Sequence, residues 1–122
     1  MGLTVKRIYQ PAAPDDGVRV LVDRLWPRGV SKDAAALDQW LREVAPSPAL
    51  RRWFNHEPAR WEAFRHRYAA ELDDLAEYWR PLATQSLHRQ VTLLYGARDD
   101  EHNHAVALKI YLERWLQAHG PR

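Results

Sequence analysis

Apolar residues along this chain follow two rhythms. In Val18 to Asp23, "VRVLVD", apolar side chains point to both faces at Val20, Leu21 and Val22. That is the signature of a central strand covered on both sides. "VTLLYG", residues 91–96, repeats the signature and closes on Gly96, which permits tight backbone geometry or close approach of a ligand. "LTVKRIY", residues 3–9, alternates more loosely and predicts a short strand. A loop containing Pro and Gly, "QPAAPDDG", follows it. Beyond Gly29 the spacing lengthens to that of a helix. Ser31 or Asp33 can cap one, with Leu37, Trp40, Leu41 and Val44 at helical intervals. Pro48 suits the first turn of a short helix containing Leu50, Trp53 and Phe54. Pro58 starts another, with Trp61, Phe64, Tyr68, Leu72 and Leu75 on one face, and Pro81 ends or kinks it. A last helix is expected over 103–118, with Leu108, Tyr111, Leu112 and Trp115 as its buried stripe and Gly120 and Pro121 as its stop.

Strand, strand, several helices, strand, helix is the order of an α/β fold. The expectation is one domain over residues 1–122: a small, open, mostly parallel sheet of about three strands, with helices packed on both faces and a helix-rich middle. Residues 18–23 and 91–96 should be adjacent and parallel, because a long helical crossover joins them. The loop between the first two strands is short for such a crossover, so their relative direction stays open.

Composition adds constraints to this pattern. Hydrophobic residues make up 46% and charged residues 28% of the 122, an ordinary balance for a globular chain. There is no cysteine, which removes disulfides, thiolate nucleophiles and Cys-based zinc sites. No apolar run approaches the roughly 18 residues that span a bilayer, and the N-terminus lacks a signal-peptide layout. No membrane partner and a cytoplasmic location are therefore expected. Net charge is only +2, but of 18 cationic residues only Lys6, Lys32 and Lys109 are lysines. The arginine excess suits carboxylate or phosphate, although an arginine-rich proteome would produce it without any ligand.

Ligands of open parallel sheets bind beyond the carboxyl ends of the strands. Two such ends carry "DRLWPRG" and "YGARDDEHNH". Neighbouring strands would gather Asp23, Arg24 and Arg28 with Arg98, Asp99, His102 and His104, beside the positive start of the last helix. In that cleft Arg24, Arg28 and Arg98 would bind an anion, with Trp26 and Asn103 as further ligand contacts. His104 would act as acid or base, and Asp23 would orient it or an arginine. Plainer roles stand beside these: Asp23 in a structural ion pair with an arginine, Trp26 in packing, and Asp100 or Asn103 as a helix cap. His56, His102 and His104 form an alternative metal set, against which the spacing of His102 and His104 argues, since residues two apart diverge on a helix. His66, His88 and His119 fit solvated roles. No Walker loop, GxGxxG or GxSxG occurs, so no cofactor is expected. An Arg- and Trp-rich surface could also stack nucleic-acid bases, as part of a non-catalytic nucleic-acid or protein interaction module.

"DDGVRVLVDRLWPRGVSK", "LDQWLREVAPSPALRRWFNHEPARWEAFRHRYAAEL" and "VTLLYGARDDEHNHAVALKIYL" resemble the YeaO-like branch of the uncharacterised domain-of-unknown-function 488 family, over nearly the whole chain. The resemblance implies a compact α/β protein and no assigned activity. In sibling branches a Cys-His-Arg element follows the second matched strand. Here Asn103-His104-Ala105 stands in its place, so only the histidine is kept and thiol chemistry does not carry over. The positions that stay polar in the match are Asp23, Arg24, Arg28, Arg98, Asn103 and His104. The function expected is an anion-binding strand-end cleft for a phosphorylated or nucleotide-like small molecule, as an enzyme or as a binding module, with oligomeric state undetermined.

Overall fold

A computed structural model describes residues 2–120. Strands β1 (Gly2–Arg7), β2 (Val18–Leu21), β3 (Gln39–Trp40) and β4 (Gln90–Tyr95) form one sheet in the order β1-β4-β2-β3, with every pairing parallel. The expected neighbours therefore pair as foreseen, with Val20 opposite Leu93. The direction left open is settled by β4, which lies between β1 and β2 and runs parallel to both. Such an arrangement forces Ile8 to Gly17 to pass across a sheet face, which it does with a single 3-10 turn at Pro14–Asp16.

Helices α1 (Lys32–Ala35), α2 (Pro48–Phe54), α3 (Trp61–Asp73), α4 (Ala76–Gln85) and α5 (His104–His119) complete the fold. Period-two alternation divides the strand residues between two layers. Leu3, Val18, Val20, Val91 and Leu93 face the main core, which α2 to α5 cover with Phe54, Phe64, Tyr68, Leu72, Trp79, Leu108 and Leu112. Leu21 and Leu94 face a smaller cluster closed by Ile8, Ala35, Trp26, Leu37 and Trp40. Helices thus lie on both faces, very unequally: one turn of helix on the second against four helices on the first.

That second face is polar at one end. Asp16 is buried and accepts from Lys6 Nζ at 3.0 Å, from the Ala13 amide at 3.0 Å and from Arg19 Nη1. Arg19, also buried, donates its other guanidinium hydrogens to the Ala35 and Ala36 carbonyls, capping the end of α1. Thr92 Oγ1 donates to the Asp16 carbonyl at 2.7 Å. The network ties the β1–β2 crossover, the central strand and α1 together.

The helix expected over Leu37, Trp40, Leu41 and Val44 does not form. Ala36 turns left-handed (φ 47°) and ends α1, after which Gln39–Trp40 pairs with β2. The free edge of β2 makes the difference. Its Arg19 and Leu21 carbonyls accept from the Asp38 and Leu41 amides, and the Asp38 carboxylate accepts from the Arg19 amide. The apolar spacing serves two layers instead of one helix face, with Leu37 and Trp40 in the small cluster and Leu41 and Val44 in the main core. Likewise the long third helix breaks at Asp74–Leu75 and not at Pro81, which α4 carries inside its span. Pro48 opens α2 behind the Ser47 cap, as expected. Gly120 ends α5, and Pro121 lies outside the described residues. No helix among the described residues is long and apolar enough to cross a membrane.

Candidate functional site

Beyond the carboxyl ends of the strands lies a cleft of about 580 Å³. Its floor is built by Asp23 after β2 and Gly96 after β4. The Gly96 amide donates to Asp23 Oδ2 at 3.0 Å, and Trp40 Nε1 donates to the Asp23 carbonyl at 2.7 Å, so one residue joins three strand ends. A Cβ on Gly96 would stand 3.0 Å from that carboxylate oxygen, a closer approach than side chains usually make.

His104, the first residue of α5, places Nε2 2.8 Å from Asp23 Oδ1 and 3.1 Å from the Val22 carbonyl. Both neighbours are acceptors, so Nε2 carries the hydrogen. It is directed at the carbonyl, which leaves Asp23 Oδ1 in contact with the ring but with no hydrogen aimed at it. Nδ1 is the nitrogen left for a ligand. Beneath the pair, burial pushes the Tyr68 phenol far above its ordinary value, with Glu71 and Asp23 adding to the effect. Tyr68 therefore stays a neutral donor, to the Val44 carbonyl.

The walls come from different elements. Arg24 lines the cleft, but its Nη2 donates to the Ala45 and Pro46 carbonyls at 3.1 and 3.2 Å. It holds the approach to α2, while its Nε is buried without an acceptor. Ser47 anchors the start of α2. Its hydroxyl accepts from the Leu50 amide, and its amide and hydroxyl donate to the two Glu71 oxygens at 2.8 and 2.6 Å. That anchor sets Arg51 and Arg52 into the cleft wall, both exposed and without an acidic partner among the described residues. Tyr9 and Leu25 also line the cleft, and both are exposed.

Of the site residues expected from sequence, Asp23, Arg24, Trp26, Asn103 and His104 line the cleft together. Arg28 and Arg98 do not: both are exposed and lie outside its lining, so the expected convergence of three arginines is absent. The loops after β2 and β4 splay their outer residues to solvent, and the cation pair comes from α2. Neither is there, among the described residues, a closed network of those arginines with acids. Asp23 is occupied by Gly96 and His104. Asp99 Oδ1 takes the Glu101 and His102 amides, which hold its carboxyl below the usual range. Trp26 donates to the Val30 carbonyl and packs edge-on against Trp40 at 5.4 Å, so its main work is packing. Asn103 is the α5 cap, its Oδ1 accepting from the Val106 amide at 3.0 Å.

The alternative metal set does not assemble. His56, His102 and His104 all line the cleft, but no group of three metal-ligating side chains comes together among the described residues. His102 Nδ1 meets Asp99 Oδ2 at 3.0 Å with its ring edge-on to Trp61, and Asp23 engages His104. Arg51 and Arg52 were missed from sequence because "LRRWF" reads as the solvated side of an amphipathic helix. The Ser47–Glu71 tie, the Arg24 bonds to the Ala45 and Pro46 carbonyls and the burial of Leu50 and Phe54 together turn that side toward the strand ends.

Asp23→Ala is expected to remove the Gly96 bond and the imidazole contact, at a cost of about 1–3 kcal/mol. An Arg28→Ala/Arg98→Ala protein should unfold within about 0.5 kcal/mol of wild type. Urea denaturation of both distinguishes a structural Asp23 from free loop arginines.

A family model described as "Inactive DUF488-N3 subclade" matches residues 2–121. The chain is 43% identical over 112 residues to "Uncharacterized protein YeaO" of Escherichia coli K12, covering 92% of this chain and 97% of that one. It is 44% identical over 107 residues to "Uncharacterized protein Rv3073c" of Mycobacterium tuberculosis H37Rv, covering 85% and 87%. No solved structure matches it. With one model matched across residues 2–121 and relatives of this identity aligned over most of their length, the chain belongs to the DUF488 family, in its N3 subclade.

Proposed function

We propose that the strand-end cleft binds a small anionic molecule of nucleotide-like size without covalent turnover. The observation that carries this reading is the pair Arg51 and Arg52, exposed and unpaired among the described residues, in the same cleft as the Asp23–His104 pair. Two guanidinium forks on one wall suit a phosphate or carboxylate. His104 Nδ1, and Asp23 behind it, can hydrogen-bond a polar group further in. The pair is also suited to acid–base work. Against turnover stands the description of the matched family model as inactive.

A nucleoside monophosphate at 100 times its dissociation constant should stabilise the protein by about 2.7 kcal/mol. Thermal melts in phosphate and in each of the four ribonucleoside monophosphates, against chloride at equal ionic strength, measure this. Arg51→Ala/Arg52→Ala should abolish the increment, and Arg28→Ala/Arg98→Ala should keep it. If no anion outperforms chloride, the reading fails. If the loop pair abolishes the increment instead, the anion site lies outside the cleft.

A further inference from the structure

The cleft wall continues into a basic, aromatic face. Between residues 51 and 67 there are five arginines and two glutamates, an excess larger than the net charge of the whole chain. Arg51 and Arg52 stand in the cleft. Trp53, the next residue of α2, carries the guanidinium of Arg67 at 4.0 Å and that of Arg60 at 5.4 Å over its ring. Arg60 Nη1 donates to the Trp53 carbonyl, which locks the turn before α3 against α2. Both stacked arginines are exposed, and neither has an acidic partner among the described residues. Arg65, the fifth, is engaged with Glu62.

We propose that this face is a track for single-stranded nucleic acid, with one terminal nucleotide seated in the cleft. The proposal rests on the anion-binding reading above and names its ligand class. Four cations leading away from one pocket match a row of phosphates, not a single anion. A guanidinium already stacked on indole offers a second flat, cationic surface on which a base can lie, and such stacking tolerates any base. The exposed Tyr9 ring in the cleft lining gives the terminal base an aromatic neighbour. A duplex would not fit this arrangement, because its bases are stacked inward and its end cannot send one base into a cleft between two loops. An acidic membrane surface is the poorer match: of the large exposed apolar side chains among the described residues, Tyr9, Leu25 and Tyr78, two line the cleft and none belongs to residues 51–67.

Fluorescence anisotropy with labelled single strands of about eight nucleotides, RNA and DNA, tests this, against mononucleotides, a blunt duplex and heparin as competitors. The better single strand should bind about ten-fold more tightly than any mononucleotide, and raising salt from about 50 to about 200 mM should weaken it roughly twenty-fold. Arg60→Gln/Arg67→Gln should bring the single strand to within about two-fold of the mononucleotide and leave mononucleotide binding unchanged. The glutamine amides keep a planar group over Trp53, and Arg67→Lys should restore part of the salt dependence. Equal affinity for single strand and mononucleotide overturns the track and leaves the cleft reading standing. No binding of either removes both. Duplex or heparin competing as well as the single strand overturns the proposal, as does single-strand binding that survives Arg51→Ala/Arg52→Ala.

Discussion

Replacing Asp16 with alanine is expected to lower the melting temperature by more than about 10 °C, near 3 kcal/mol for a chain of this size. Asp16 is 7% exposed and Arg19 5%. Removing the carboxylate leaves a buried guanidinium facing only the Ala35 and Ala36 carbonyls, and Lys6 without its partner. Breaking a buried pair from one side costs far more than an exposed pair ever contributes. Asp15→Ala, one residue away and exposed, should change almost nothing. A pH series gives an independent check. Burial works against the Asp16 charge, but hydrogen bonds from the Ala13 amide, Lys6 and Arg19 outweigh it and hold the carboxyl below its ordinary value. A lowered folded value means stabilisation that is complete above the unfolded pKa, about 3.9, and lost as pH falls through the folded one. Wild type should therefore lose stability steeply on acidification below about pH 4, and Asp16→Ala should show a shallower acid limb. Equal acid limbs in the two proteins would show that the network contributes no linkage.

Gly17→Ala should be comparably damaging, at about 3 kcal/mol or more by urea denaturation. Gly17 joins the crossover turn to β2 with φ 64° and ψ −131°, a region that side chains essentially do not enter. A Cβ there would fall 2.2 Å from the Gln90 carbonyl oxygen at the start of β4. Gly29 separates the two causes. It also has positive φ (77°) but open space around it, so Gly29→Ala should show the backbone term alone, about 1 kcal/mol. If the two substitutions cost the same, the close approach of Gly17 to β4 contributes nothing and the crossover is looser than described.

The two predictions meet at the β1–β2 crossover, where the sequence was hardest to read. "QPAAPDDG" looks like any Pro- and Gly-bearing loop, and its own residues do not say that Asp16 turns inward. Nor does Arg19 declare itself. Inside "VRVLV" it occupies a position that alternation would give to solvent, yet it is buried because the turn before it and the end of α1 supply its acceptors.

What the chain determined by itself was local. Val18–Leu21 and Gln90–Tyr95 are strands because their β-branched and leucine residues suit a sheet buried on both faces, and no alternative partner changes that. Ser47-Pro48 and Asn103 begin α2 and α5 because a short side-chain oxygen accepts an orphan amide whatever lies beyond. The α/β class and the meeting of Asp23 with His104 follow from those elements, since parallel strands carry their ends to one side. Tertiary structure decided the rest. Gln39–Trp40 became a strand because β2 had an open edge, which outweighed a helical spacing. Arg28 and Arg98 went to solvent while Arg51 and Arg52 entered the cleft, because Glu71, far along the chain, holds Ser47 and so sets the direction of α2. Loop arginines are aimed by long-range contacts, and those contacts leave no periodic mark in the sequence.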